Sequence, residues 1–295
     1  MVHFHGSDGK APFFEGWYFR HRNKGRTIAL IPGMSRDRDG GASAFIQVIT
    51  DGGSWQADYG EMDFHAARDR LAVRVGGSVF TEHGIRVNID VPGLRCTGTV
   101  RYGGLTPPRY DIMGPFGPLP FLECYHGLTS LYHRLGGSLT VNGERFDLDG
   151  GTGYIEKDWG RSFPRRYTWV QCNDLTPGGR PCCVFASAAE IPLSRYRFDG
   201  CIASVWLGGR EYRLATYLGG KAEEQDGRLV IHQGAMRLTI RPRPENGQTL
   251  RAPDAGGMTR SIRETLTCPA RFTFRRGKEL LLDAVSRGTS YERVE

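Results

Sequence analysis

Lysine is scarce in this chain. Of its 39 cationic residues only positions 10, 24, 157, 221 and 278 are lysine, and arginine supplies the rest. No run of five cations accompanies the net charge of +7, and neither zinc-finger spacing nor a regular basic–aromatic alternation is present. The composition therefore argues against a nucleic-acid partner. A peripheral contact with an anionic membrane surface fits the charge better, because a lipid-like ligand would be collected there. Long apolar runs are missing as well, and no stretch approaches the roughly 18 residues that mark a spanning helix. The opening residues, MVHFHGSDGKAPFF, have neither the charged nor the apolar region of a secretory signal. No G-x-G-x-x-G, phosphate loop or G-x-S-x-G elbow occurs, which argues against nucleotide cofactors and a serine nucleophile. The seven cysteines are odd in number and include no C-x-x-C pair, so reduced thiols in a cytoplasmic setting are expected.

Glycine, by contrast, is abundant: 41 of 295 residues, about twice the usual share of roughly 7%. It falls singly or in pairs between short apolar runs, which is turn punctuation for an antiparallel β protein. Alternation with period two predicts strands near 26–31, 44–49, 70–75, 85–89 and 96–102, then a second series from 138 to 284. Asn142-Gly143, Asp226-Gly227 and Asn246-Gly247 are hairpin signals. Only Leu128–Leu135 has helix-like spacing. The proline-dense segment Leu105–Leu122 cannot be a central strand or helix interior, and reads as an extended connector whose apolar side chains bury. The expectation is an all-β chain of two antiparallel barrel or sandwich units packed together. The first would span 1–135, including the connector at 105–122, and the second 136–295. Closure of about eight short strands removes exposed edges and can enclose one small ligand.

Two segments concentrate charge and large aromatics: FFEGWYFR at Phe13–Arg20 and GYIEKDWGRSFPRRYTWVQCN at Gly153–Asn173. Strict alternation in YIEKDWG sets Tyr154, Glu156 and Asp158 on one strand face, with Ile155, Lys157 and Trp159 on the other. Two acids sharing a partly apolar site raise one pKa, and a carboxyl still protonated near neutrality can donate to an alkene or carbonyl. The alternative is a surface strand end whose carboxylates are satisfied by Arg161, Arg165 or Arg166. Trp17, Tyr18, Trp159, Tyr167 and Trp169 could stabilise a developing cation through their π faces, or be ordinary core. Gln171 and Asn173 share a face with Trp169, where amides would orient a ligand oxygen or hydrogen-bond nearby backbone. His3 and His5, on a terminus expected to be free, and Cys124–His126–His133 invite a metal reading. No further ligands arrive at diagnostic spacing, so no metal is expected.

These same two segments resemble the tocopherol cyclase family, as does LRAPDAGGMTRSIRETLTCPARFTF near the end of the chain. The resemblance implies a pair of lipocalin-like β units, related to carotenoid hydratase-like proteins, and cofactor-free chemistry. An acid protonates a prenyl double bond of a quinol, and the phenol oxygen captures the tertiary cation. This chain has Asp158 where plant members carry Asn, and Tyr167-Thr168 where they carry two aromatics. On this reading the partner is a prenyl quinol, terpenoid or lipid, cyclised or hydrated by Glu156, with Asp158 modulating it and Glu15 the next choice of acid. Trp17, Tyr18, Trp159, Arg165, Trp169, Gln171 and Asn173 would bind the substrate. The alternative function is a lipocalin-type lipid or pigment carrier without turnover.

Overall fold

A computed structural model describes residues 3–193 and 196–295, and the chain is all-β. Among the described residues, helix is confined to three-residue 3₁₀ turns, and no helix is long and apolar enough to cross a membrane. Contacts divide the chain into two units.

The first unit comprises the chain up to Pro108, Cys124–Phe163 and Thr249–Ile262. Its early strands are β1 (Phe13–Asn23), β2 (Arg26–Arg36), β3 (Ala42–Thr50), β4 (Gly53–Gly60), β5 (Phe64–Ala66) and β6 (Ala72–Val75). They are followed by β7 (Ser78–Thr81), β8 (Gly84–Val91), β9 (Leu94–Tyr102), β10 (Cys124–Val141), β11 (Glu144–Asp147) and β12 (Thr152–Gly160). The sheet order is β4-β3-β2-β1-β12-β10-β9-β8-β7-β6-β5, with β11 beside β10. Phe19 on β1 and Phe80 on β7 are five strand steps apart in that order, a span of about 24 Å on a flat sheet. Their rings nevertheless sit 5.2 Å apart. The sheet is therefore curled upon itself, as in a lipocalin, and encloses a core that includes Phe19, Leu30, Val48, Phe80, Val100 and Ile155.

The second unit comprises Arg109–Glu123, Pro164–Gln248 and Arg263–Glu295. Its strands are β13 (Tyr167–Leu175), β14 (Cys182–Leu193), β15 (Tyr196–Leu207), β16 (Arg210–Ala215), β17 (Lys221–Gln225) and β18 (Arg228–Gln233). They continue with β19 (Met236–Pro242), β21 (Gly257–Arg276) and β22 (Glu279–Val294), while β20 (Gln248–Asp254), which pairs with β21, lies from Thr249 on in the first unit. The order β16-β15-β14-β13-β22-β21-β19-β18-β17 curls in the same way. Tyr212 on β16 and Phe274 on β21, again five steps apart in the order, have rings 5.2 Å apart. Within the first unit the Gln47 amide donates to the Arg251 carbonyl at 3.0 Å and accepts from its N–H at 3.2 Å.

Three sequence expectations change. Leu128–Leu135 is not helical but lies inside β10, where register shifts fall between Leu128 and Ser130 and between Ser130 and His133. Extra residues at such bulges break the period of two and imitate helical spacing. The boundary expected near residue 135 falls within that same strand, because β10–β12 complete the first sheet. Asn246-Gly247 lies between β19 and β20 rather than in a tight hairpin. The other two turn signals hold. Asn142 and Gly143, with φ of 49° and 88°, and Asp226 and Gly227, with 51° and 69°, adopt the left-handed pairs that two-residue hairpins require. The connector buries Ile112 and Met113, and the second unit's Arg213 holds it by donating to the carbonyls of Asp111 at 2.6 Å and Tyr110 at 2.8 Å.

Candidate active site

Strand β12 sits at the centre of the first sheet, between β1 and β10. Its register pairs Glu15 with Trp159, Trp17 with Lys157 and Tyr18 with Glu156 on one side. On the other side it pairs Tyr125 with Trp159 and His126 with Asp158. Directly opposed residues of an antiparallel pair point to the same face, so these strands carry two chemically different surfaces back to back.

One surface, opposite the unit's hydrophobic interior, brings Tyr18, His126, Tyr154, Glu156 and Asp158 together. His126 Nδ1 lies 2.7 Å from Asp158 Oδ1, and its Nε2 lies 3.2 Å from Glu156 Oε2. The Tyr154 hydroxyl donates to the same Glu156 oxygen at 2.5 Å. Glu156 is 3% exposed and His126 8%, so water cannot screen these charges. Burial alone would pull the imidazole down, but Asp158 and then Glu156 outweigh it and hold His126 up at about 10. Burial pushes the Glu156 carboxyl above the usual carboxylate range, with the Asp158 charge adding to it, while His126 and the Tyr154 hydrogen bond oppose it. The result is an imidazole clamped between two carboxyl groups, with protons to distribute among them. Of the arginines expected to satisfy these carboxylates, Arg166 pairs instead with Glu190 at 3.5 Å and Asp199 at 3.3 Å.

The ligand atoms of His126, Glu156 and Asp158 lie within 4.8 Å of one another, close enough to share a metal ion. In the metal-free protein the two carboxyl groups hold a proton on the imidazole, and a metal would have to displace it. His133, grouped by sequence with Cys124 and His126, is apart from this cluster: it pairs with Gly153 and bonds Ser130 Oγ at 2.9 Å.

The opposite surface of β12 faces inward and is closed by the N-terminal segment. Lys157 Nζ, fully buried, donates to Glu15 Oε1 at 2.6 Å and to the His3 carbonyl at 2.5 Å. Its ammonium also lies 5.4 Å from the Trp17 ring centre and 4.8 Å from that of Trp159. The His5 backbone N–H donates to Glu15 Oε2 at 2.8 Å, and the His5 ring stacks on Trp159 at 4.1 Å and 6°. Glu15, Trp17 and Trp159 are therefore separated by the sheet itself from Glu156 and Asp158, and do not share one pocket with them. Nor is the His3–His5 terminus free.

Trp169, Gln171 and Asn173 lie on β13 in the second unit, all buried, while Arg165 is exposed in the loop before it. Sequence reasoning missed His126 as the partner of the acids and Tyr154 as their donor. Strand register brings His126 to the acids, and no short-range spacing encodes a partner 30 residues away, whereas Tyr154 reaches Glu156 from two residues along the same strand.

The tocopherol cyclase-like family matches residues 128–195. A probable chloroplastic tocopherol cyclase of rice, Oryza sativa subsp. japonica, is 33% identical over 120 residues, which is 40% of this chain and 26% of that protein. The chloroplastic tocopherol cyclase of Zea mays is 31% identical over 77 residues, 26% of this chain and 16% of its own length. This chain is similar to tocopherol cyclases. The matches span about a quarter or less of those relatives' lengths. Over nearly the whole chain, 99% of it and 93% of the other, the fold is that of kievitone hydratase from Nectria haematococca, at TM-score 0.54 and 12% identity. The tocopherol cyclase-like segment contains Glu156, Asp158, Trp169, Gln171 and Asn173, while Glu15 and His126 fall outside it.

Proposed function

We propose that this protein is an acid catalyst that cyclises or hydrates a hydrophobic, isoprenoid-bearing small molecule such as a prenylated quinol. The His126–Glu156–Asp158 cluster, with Tyr154 bonded to Glu156, is the observation that carries the reading. Glu156 in its protonated form gives its hydrogen to the less substituted alkene carbon, leaving a tertiary cation. A phenol or water oxygen attacks that cation, and the proton it sheds returns to the carboxylate. Atoms and charge balance without an oxidant, a reductant or a cofactor. Asp158 and His126 set the proton affinity of Glu156, and the rings of Tyr18 and Tyr154 offer π faces to the cation, about 0.5–2 kcal/mol each. Glu15, Trp17 and Trp159 serve the N-terminal closure instead.

Similarity to cyclases in sequence and to a hydratase in fold supports this class of reaction. A carrier of lipocalin type would need a hollow interior, whereas both curled sheets pack rings inside, among them Phe19 and Phe80 in one and Phe272 and Phe274 in the other. Incubating the purified protein with prenyl quinols, prenylated phenols and polyenes tests the proposal. Turnover by the parent protein should fall about 10²–10⁴-fold in Glu156→Gln, the usual contribution of a positioned acid. Unchanged turnover in that variant would remove Glu156 from the role.

A further inference from the structure

A second polar cluster lies on the inner face of the first sheet, farther along β12 from Lys157, and the acid chemistry above does not use it. His21 of β1 and His133 of β10 both pair with Gly153 of β12. Opposed residues share a face. The two imidazoles therefore flank a glycine from strands about 10 Å apart, twice the usual strand spacing. A Cβ on Gly153 would lie 2.1 Å from His133 Nε2, so that ring reaches over the glycine. Tyr102 of β9 touches both histidines. Its ring centre lies 5.6 Å from that of His21 and 4.5 Å from that of His133, and its hydroxyl lies 2.7 Å from His21 Nε2. Each histidine is 1% exposed.

The independent observation is His133 Nε2, which is buried and meets no hydrogen-bond partner. Ser130 Oγ lies 2.9 Å from His133 Nδ1 and 3.1 Å from the Tyr132 carbonyl. A carbonyl only accepts, so the Ser130 hydrogen goes to Tyr132, and the His133 Nδ1–H donates to Ser130. That tautomer leaves a bare lone pair on Nε2. At His21 the Ile28 carbonyl, opposite it on β2, attracts a hydrogen on Nδ1 from outside hydrogen-bond geometry. His21 Nε2 is then left to accept from Tyr102. Burial holds both imidazoles down at about 3, so both are neutral near neutrality and keep these lone pairs. His126 differs, because its two acids hold a proton on it. We propose that His21 Nε2, His133 Nε2 and the Tyr102 oxygen bind Zn²⁺ or a divalent transition ion of like preference, with water as the fourth ligand. Imidazole nitrogens suit zinc and its neighbours rather than calcium or magnesium. A metal-bound histidine almost always has its other ring nitrogen anchored, and Ser130 does this for His133. Burial holds the Tyr102 phenol well above its ordinary range, and the dication reverses that effect, the proton leaving to solvent. The ion ties β1, β9 and β10 together and takes no part in the acid chemistry. Sequence spacing gives no sign of it, because the three ligands come from three strands.

Titrating the full chain with Co²⁺, a coloured stand-in for Zn²⁺, tests this. Four-coordinate Co²⁺ absorbs visible light far more strongly than the six-coordinate aqueous ion. The parent protein should develop that strong spectrum, and added Zn²⁺ should abolish it. His21→Phe and His133→Phe should lose it, while His126→Gln keeps it, which separates this site from the acid cluster. Ser130→Ala is the milder change should a phenylalanine variant fail to fold. It should weaken Co²⁺ binding about 10–100-fold, the usual cost of removing a residue that orients a metal ligand. Three results would overturn the proposal and leave an ordered water as the partner of His133 Nε2. They are a weak six-coordinate spectrum alone in the parent, a strong spectrum at parent affinity in His133→Phe or Ser130→Ala, and loss of the strong spectrum in His126→Gln.

Discussion

The two faces of β12 use the same residue types to opposite ends. On the inner face an acid meets a lysine. Glu15 and Lys157 neutralise each other at 2.6 Å, and the His3 carbonyl and the His5 backbone N–H satisfy further hydrogen-bonding capacity. On the other face two acids meet a histidine, and with all three ionised one negative charge is left over, so the cluster becomes neutral only by keeping a second proton. The first pairing holds a chain segment in place, while the second stores a proton. Density of charge alone therefore says little about catalysis; the sign of the nearest buried partner decides.

Breaking the inner pair should produce the largest change in stability. Lys157→Met leaves the Glu15 carboxylate buried without its cation, and should cost about 3–5 kcal/mol. Thermal unfolding would show this as a fall in melting temperature of about 2–4 °C per kcal/mol, largely restored by adding Glu15→Gln. A parent-like melting temperature in the single variant would mean that the ion pair does not hold this face.

The outer cluster should announce itself through pH. His126 is held at about 10, above its ordinary 6.5, so its protonated form stabilises the fold fully below pH 6.5. That contribution is lost as pH rises toward 10. Denaturation midpoints measured across this window should therefore decline in the parent and flatten in His126→Gln. A decline of equal slope in both would place the titration elsewhere. The smallest effect is expected at the closing segment. His5→Ala removes one stacked ring from Trp159 and should cost about 0.5–1.5 kcal/mol, with faster proteolysis near the N-terminus as the sensitive readout.

Much of this was legible in the order of residues. The alternation in YIEKDWG placed Tyr154, Glu156 and Asp158 together because β12 is regular over that stretch. The same rule, applied jointly to FFEGWYFR, would have split Trp17 and Glu15 from Glu156, yet the crowding of acids and rings argued for a single pocket. The bulges in β10 hid a strand behind helical spacing at Leu128–Leu135. They lie in the strand that delivers His126, whose meeting with Asp158 depends on long-range register.

The central claim is that Glu156 hands a proton to an alkene. Turnover of a prenylated phenol in heavy water, followed by mass spectrometry of the product, tests it most directly. The account predicts one deuterium on carbon at the former double bond in product from the parent protein, and loss of that product in Glu156→Gln. Product that forms without carbon-bound deuterium, or that forms equally well in the variant, would contradict it.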